Sequence, residues 1–523
     1  MKFKIIISLT LVLLLLGCGN EEPTSESTEP GPPNIIYILA DDHAEKAISA
    51  YSSELHRTPN LDRIAKEGMI FRNSFVTNSI CAPSRATILT GLYSHLNGKR
   101  DNSDVFDGDQ ATFIKTLQAN GYHTSVIGKW HLKSAPQGFD FSQILIGQGD
   151  YYNPVFITDG DTSEATGYTT TLITDRALAQ LEERKAHPDQ PFCMLYWHKA
   201  PHRNWMPDLQ DLPGLLEQRF PEPVTLRDNY EGRAAAQEAD MRIADMYTSK
   251  DLKVSEVYQP VDDNSGGHPS HDPMKDFNRM LRRLTEEQRA AWAPFLKAVG
   301  EEYQKIKGTD EELAWRYQRY MQDYLASIQS VDRNVGRVLD YLDESGLAEN
   351  TVVVYSSDQG FYLGEHGWYD KRFMYEESMR TPLMIRYPKT VAPGSENTDL
   401  VLNLDMAPTL LELAGLEPHT NMQGRSLVPL LEGETPDDWR ESTYYHYYEY
   451  PHGWHSVNKH EGVREARYKL IRYYTDDSES FELFDLETDP NELDNRIGDP
   501  TLEEQETRLK ERLVAHREEY SVE

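Results

Sequence analysis

Seven residues, Asn34-Ile35-Ile36-Tyr37-Ile38-Leu39-Ala40, run on without a charge and stop abruptly at Asp41-Asp42. A continuous apolar run of this length reads as a strand buried on both faces, the environment of a parallel sheet covered by helices. Open α/β sheets take their ligands just past the carboxyl ends of such strands, which is where these two carboxylates stand. Taken alone, an Asp-Asp pair is usually a solvated turn.

The same construction recurs along the chain. Residues 122–128 read as a strand opening onto Gly128-Lys129-Trp130-His131, residues 191–197 lead into His198-Lys199-Ala200-Pro201-His202, and residues 351–357 end in Asp358-Gln359-Gly360. Between these strands, apolar positions at helical spacing predict helices over Thr58–Phe71, Thr112–Asn120 and Ala314–Leu342. The alternation gives a doubly wound α/β core. After Leu400 the pattern changes: Asp405–Leu416 is helical, and residues 442–450, 466–474 and 481–486 read as strands with no helix between them. A small antiparallel sheet packed with a last amphipathic helix, Leu502–Tyr520, is expected there. The predicted division is an α/β domain over 34–432, carrying a polar, partly helical insertion at 203–313, and an α+β subdomain over 433–523. Within the insertion, Thr285 and Gln288 form a capping box.

The first 33 residues stand apart. Lys2 and Lys4 precede an apolar run, Ile5–Leu16, that is too short to span a bilayer comfortably and ends in Leu15-Leu16-Gly17-Cys18. Residues 1–18 resemble a bacterial lipoprotein signal with its lipobox, which implies lipidation of Cys18 and export to the periplasm or outer membrane on that anchor. An ordinary signal peptide or short anchor is the alternative. Residues 19–33, rich in Pro, Glu and Ser, read as a flexible tether. The 523 residues hold three cysteines, and if Cys18 is lipidated and Cys81, taken up below, is chemically consumed, Cys193 alone is left and no disulfide framework is available. A formal net charge of −33 argues against nucleic acid as a partner. It does not exclude an anionic substrate, because a cleft's local field can oppose the global sign.

Cys81 follows an apolar, β-prone stretch (Ile70, Phe71, Phe75, Val76) and precedes a plausible helix, so its thiol is placed at a strand-to-helix junction with outward-pointing N–H groups. A lone cysteine is usually a small buried hydrophobe. Here Pro83, Ser84 and Arg85 do not continue a core pattern. Asp41, Asp42, Asp358 and Gln359 are all hard oxygen donors, the set that a divalent ion such as calcium prefers.

The stretch CAPSRATILTG, with IIYILADD, GKWH, KAPH, SDQG and ELFDLETDPNE in that order, resembles the type I, formylglycine-dependent sulfatases of the alkaline phosphatase superfamily. The similarity runs from Asn34 to Asn495 with the insertion as its interruption. It implies an alkaline-phosphatase-like doubly wound mixed sheet flanked by helices. It also implies that Cys81 is oxidised to formylglycine by a formylglycine-generating or anaerobic sulfatase-maturing enzyme. The aldehyde hydrate attacks the ester sulfur, leaving a covalent sulfo-enzyme, and its second hydroxyl then expels sulfate. By the resemblance, Asp41, Asp42, Asp358 and Gln359 hold Ca²⁺ together with residue 81, Gln359 standing where many relatives carry Asn. Arg85 and Lys129 steady the hydrate, Lys371 and His202 grip the sulfate, and His131 takes a proton during elimination. His198 is the alternative to His202, Lys389 to Lys371, and His366 is either a supporting residue or part of a loop.

For the substrate, Tyr151, Tyr152, Arg203, Trp205 and the aromatic run 444–455, with His452 and Trp454, offer faces and polar tips suited to sugars. His460 and Arg464 are added from the loop expected before the next strand. Sheet packing explains the aromatic run equally well. KAPHRNW is most similar to bacterial sulfatases of polysaccharides and glycans, with N-acetylglucosamine-6-sulfate, sulfated uronic acid and ulvan-type units as substrates. The competing functions are a phosphodiesterase or phosphonate monoester hydrolase of the same superfamily, and an inactive glycan-binding lipoprotein.

Overall fold

The apolar run forms a strand, Asn34–Ala40, buried from Ile35 onward. It pairs in parallel with Phe192–Trp197 on one side and Thr351–Ser357 on the other, so Leu39 stands opposite both Trp197 and Ser356. This computed structural model describes residues 31–255, 273–450 and 454–522. Cys18 and His452 lie outside the described residues, as does the side chain of Trp454.

Among the described residues, ten strands form the central sheet. Its order is Ser395–Asn397, Met69–Phe71, Leu383–Arg386, Thr351–Ser357, Asn34–Ala40, Phe192–Trp197, His123–Gly128, Phe141–Leu145, Val155–Thr158, Asp161–Glu164. The five from Thr351–Ser357 to Phe141–Leu145 are parallel neighbours, while Leu383–Arg386 and the two last strands run antiparallel to theirs. The sheet is therefore mixed.

The period of two along the first strand sorts the core into two layers. Ile36 and Ile38 belong to the cluster holding Ile328, Val331 and Val335 of the long helix Glu312–Ser345. Ile35, Tyr37 and Leu39 belong to the other, with Ala82, Ile88 and Leu89 of Cys81–Thr90 and Leu410 of Met406–Leu413. Each such apolar side chain contributes about 1.5–3 kcal/mol on burial.

One predicted helix is shorter than expected. It occupies Leu61–Glu67, and Met69–Phe71 is a strand. Asp332 starts it by accepting from the N–H groups of Asn60 and Leu61 at 2.9 and 2.8 Å. Gly68 marks the switch, since a Cβ there would meet the Ile385 carbonyl oxygen at 2.2 Å. The C-terminal sheet has four antiparallel strands, Ser442–Tyr447, His460–Glu465, Tyr468–Tyr474 and Glu479–Asp485, covered by the helix Glu503–Glu519. His460 and Arg464 are thus strand residues, not loop residues. The insertion carries short turns and the helices Ala234–Glu238, Pro273–Arg283 and Glu286–Ile306, the last opened by the Thr285/Gln288 capping box. Among the described residues, no helix is long and apolar enough to cross a membrane.

Gly128 closes its strand at φ 111°, and a Cβ there would lie 1.9 Å from the Trp197 carbonyl oxygen, the acceptor of the Lys129 N–H at 2.8 Å. Gly128→Ala is expected to lower the unfolding free energy by about 2–4 kcal/mol, measured by urea denaturation. An unchanged midpoint would show that this strand end tolerates a side chain.

Candidate active site

Parallel pairing brings the strand ends to one place. Asp41 and Asp42 follow the first strand, Asp358 and Gln359 its neighbour, and Lys129 the strand beyond Phe192–Trp197. The Asp42 N–H donates to Asp358 Oδ1 at 3.2 Å. Cys81 is the first residue of a buried helix and holds its Sγ 3.5 Å from Asp41 Oδ1 and 3.9 Å from Gln359 Nε2. Asp42, His131, Asp370 and Arg372 have left-handed backbone (φ 66°, 63°, 78° and 117°). Such conformations cost roughly 1–3 kcal/mol each in non-glycine residues and gather where geometry is fixed for chemistry.

Cations hold the acids together. Arg85, fully buried, donates to Asp358 Oδ2 at 3.0 Å, to Asp41 Oδ2 at 3.1 Å and to the Lys129 carbonyl at 2.6 Å, with its guanidinium 5.1 Å from the Trp197 ring. Lys129 pairs with Asp41, and Lys371 Nζ lies 2.6 Å from Asp42 Oδ1. His202 places Nε2 3.7 Å from Asp42 Oδ2, while its Nδ1 engages the Arg203 carbonyl, an arrangement that puts the proton on Nδ1.

Burial pushes Asp41 up, but Lys129, His202 and Arg85 outweigh it and hold this carboxyl well below the usual range. Burial raises Asp42 to about 7 against the pull of Lys371, and burial with Asp41 raises Asp358 against Arg85. Burial and the Asp41 charge push the Cys81 thiol well up, so residue 81 is poorly suited to act as a thiolate. Burial and Lys129 push His131 and His202 well down.

A divalent cation suits this cluster. The carboxylate oxygens of Asp41, Asp42 and Asp358 lie within 4.8 Å of one another, and so do ligand atoms of Asp41, Cys81 and His202. Asp42 Oδ2 and Gln359 Oε1 are buried acceptors with no hydrogen-bond partner among the described residues. Hard oxygens crowded in this way, two of the acids held up by burial and then by their neighbours' charge, are what a hard ion relieves.

A cavity of about 380 Å³ opens on Asp42, Cys81, His202 and Lys371, and Arg203, Tyr151, Lys199, Asp370 and Arg372 also line it. Arg203 is fixed by Asp251 at 2.9 and 2.6 Å, and Tyr151 donates to the His202 carbonyl at 2.7 Å. His131 lines a neighbouring cavity of about 620 Å³ with Trp130 and Ile146, rather than the one at Cys81.

Several expected substrate residues are elsewhere. Trp205 is fully buried against Tyr320, 4.9 Å between centroids, and is core. Tyr152 is buried with its hydroxyl on the Pro207 carbonyl. His460 is buried between Tyr445 and Phe373, and Arg464 is paired with Glu376 at 3.1 Å, lining a separate cavity. The part of the aromatic run in the strand, Tyr444 to Tyr447, is packing with a purpose near the site: Tyr445 donates to the Arg372 carbonyl at 2.6 Å and accepts from the Ser79 N–H at 3.1 Å, tying the Cys81 loop to the Lys371 loop. His455 Nε2 lies 2.8 Å from Asp370 Oδ2. Lys389 is exposed, His198 is buried against Tyr196, and His366 is buried with Asp228, none of them lining the Cys81 cavity. The sequence reading passed over Asn102, whose Oδ1 accepts from the Ala82 N–H at 3.3 Å, and over Lys250, Asp276 and Arg279, which the insertion brings to the cavity wall. No local motif marks these residues.

Chelator-treated protein is expected to gain thermal stability when divalent cations are restored, by about 2.7 kcal/mol at a hundredfold excess over Kd. Asp41→Asn or Asp358→Asn should abolish the gain, read by calorimetry. An equal gain in these variants would place the ion elsewhere.

The sulfatase family profile matches residues 33–416, and a second profile, described as N-sulphoglucosamine sulphohydrolase, C-terminal, matches 364–519. An N-acetylglucosamine-6-O-sulfatase of Bacteroides thetaiotaomicron is 46% identical, the alignment covering 97% of this chain and 89% of that protein. A solved structure in complex with its substrate D-glucosamine-2-N,6-O-disulfate superposes with a TM-score of 0.87 at 45% identity, over 94% of this chain and 98% of that one. A phosphonate monoester hydrolase from Silicibacter pomeroyi shares the fold at 21% identity and a TM-score of 0.66, over 93% and 96% of the two chains. With strand-end acids, buried cations and Cys81 in one cluster, and the sulfatase profile spanning most of the chain, the protein belongs to the sulfatase family.

Proposed function

We propose that this chain removes sulfate from sulfated carbohydrates, with the 6-O-sulfate of glucosamine-type sugars as its substrate. The observation that carries the reading is the 46% identity to an N-acetylglucosamine-6-O-sulfatase along nearly the whole chain. The substrate named for the structural neighbour, a glucosamine 6-O-sulfate, supports it. Asp41, Asp42, Asp358 and Gln359 are the residues that would hold Ca²⁺, and Cys81 is the residue that would carry formylglycine. When present, the ion supplies a Lewis acid and the aldehyde hydrate an oxygen nucleophile.

The chain's own groups do the rest. Lys371 and His202 line the cavity: the Lys371 ammonium, kept charged by its 2.6 Å contact to Asp42, binds sulfate oxygens, and His202 does so in the form that carries a second proton on Nε2 besides the one its Nδ1 gives to the Arg203 carbonyl. Arg85 has all its bonds within the cluster, so it orients Asp41 and Asp358 and keeps the crowded acids ionised. Cys81 stands at a helix N-terminus, where backbone dipoles favour the negative charge that develops. We also propose that the protein is exported and held by lipid on Cys18, facing the periplasm or outer membrane, and depends on a maturing enzyme for residue 81.

Free sulfate should be released from N-acetylglucosamine-6-sulfate with kcat/KM about a hundredfold above that for an ulvan oligosaccharide, a 2-O-sulfated uronate or an aryl phosphate diester. Cys81→Ala should lower it at least about thousandfold. A preference for the phosphate diester would favour the phosphoryl-transfer reading instead.

A further inference from the structure

Among the described residues, each lysine and arginine lining the active-site cavity but one has a carboxylate within ion-pair distance. Arg203 faces Asp251 at 2.6 Å, Arg372 faces Glu449 at 2.5 Å, and Lys371 faces Asp42 at 2.6 Å. Lys250 and Arg279 share Asp276, at 3.4 and 3.9 Å, while Asp150 is taken by Arg283 at 3.0 Å and Asp370 by His455 at 2.8 Å. Lys199 lines the same cavity and is only 5% exposed, yet no carboxylate among the described residues lies within ion-pair distance of it. Its ammonium has the face of Tyr151, 4.9 Å away. A lysine buried to this degree without a counter-ion is expensive, and lysines are seldom buried unless paired. A chain with a net charge of −33 has carboxylates to spare, so the missing partner at Lys199 is not a matter of supply.

We infer that Lys199 receives a second, non-scissile anionic group of the sugar substrate, on the same ring or on the adjoining residue. This rests on the reading that the cavity binds a sulfated sugar. The sulfate to be cleaved belongs at Cys81 with Lys371 and His202, and Lys199, whose carbonyl accepts from the His202 N–H at 3.0 Å, is a further cation on the same cavity for an anion that stays on the product. The substrate named for the structural neighbour carries two such groups on one ring, an N-sulfate besides the 6-O-sulfate. The Tyr151 ring holds the ammonium by a cation–π contact until the ligand arrives.

Sulfate release from three compounds tests this in the wild type, Lys199→Met and Lys199→Arg. The compounds are N-acetylglucosamine-6-sulfate, glucosamine-2-N,6-O-disulfate, and N-acetylglucosamine-6-sulfate linked to a uronic acid. Lys199→Met should lower kcat/KM on one of the two doubly anionic compounds about tenfold more than on the singly charged one, the loss expected for one charge-assisted contact. Which compound responds identifies the source of the anion. Lys199→Arg should keep the discrimination, and the thermal midpoint of Lys199→Met should not fall. An equal loss on all three compounds would overturn the inference and assign Lys199 to the scissile sulfate or to folding. Wild-type protein that hydrolyses an aryl sulfate but none of the three would overturn the sugar reading itself and this inference with it.

Discussion

Three aspartates, at positions 41, 42 and 358, meet in the interior because the strands that carry two of these corners are parallel neighbours. Carboxylates this close in a low-dielectric setting cannot all stay ionised without cations. Arg85 supplies the central one. It reaches Asp41 and Asp358 at once, is fixed by the Lys129 carbonyl, and rests on the face of Trp197. Each of these partners follows or ends a different parallel strand, so one guanidinium ties the strand ends into a single cluster. Removing it would leave buried acids uncompensated, which is far costlier than losing a surface ion pair.

That cluster is what the sequence displayed most openly. Buried parallel strands have to be apolar along their length, and polar residues can appear only where the strand emerges. An abrupt change from Ile-Leu-Ala to Asp-Asp, or from Val-Ile-Gly to Lys-Trp-His, therefore reports both the sheet and the site. Lys371 was legible for a different reason, its place after the Asp358 strand in a resemblance that preserves order.

The remainder depended on tertiary partners. The strand His460–Glu465 is full of polar residues and contains Gly462, so it lacks the alternation of a strand with one wet face. Its charges are satisfied internally: Glu461 by Arg472 and Arg517, Arg464 by Glu376. Gly462 is required by close approach, since a Cβ would meet the Leu470 carbonyl at 2.3 Å. Trp205 looked like a sugar platform because it follows the His202 motif, but the long helix covers it with Tyr320 and Tyr324. The cavity wall formed by Lys250, Asp276 and Arg279 was invisible for the opposite reason: polar residues in a polar insertion carry no periodic signal. The strong negative net charge likewise concealed a cavity whose wall carries Lys199, Arg203, Lys371 and Arg372.

Cys81 is the residue on which these threads converge. A buried thiol beside Asp41, at the foot of a buried helix, is electrostatically discouraged from becoming a thiolate, yet Asp41, Asp358, Lys129 and Lys371 all act on it. Different chemistry is therefore required of residue 81. Mass spectrometry of the peptide spanning residues 73–85, from protein produced together with a maturing enzyme, tests that requirement directly. The expected result is an aldehyde in place of the Cys81 thiol, in proportion to sulfatase activity; full activity with an unmodified thiol would contradict it.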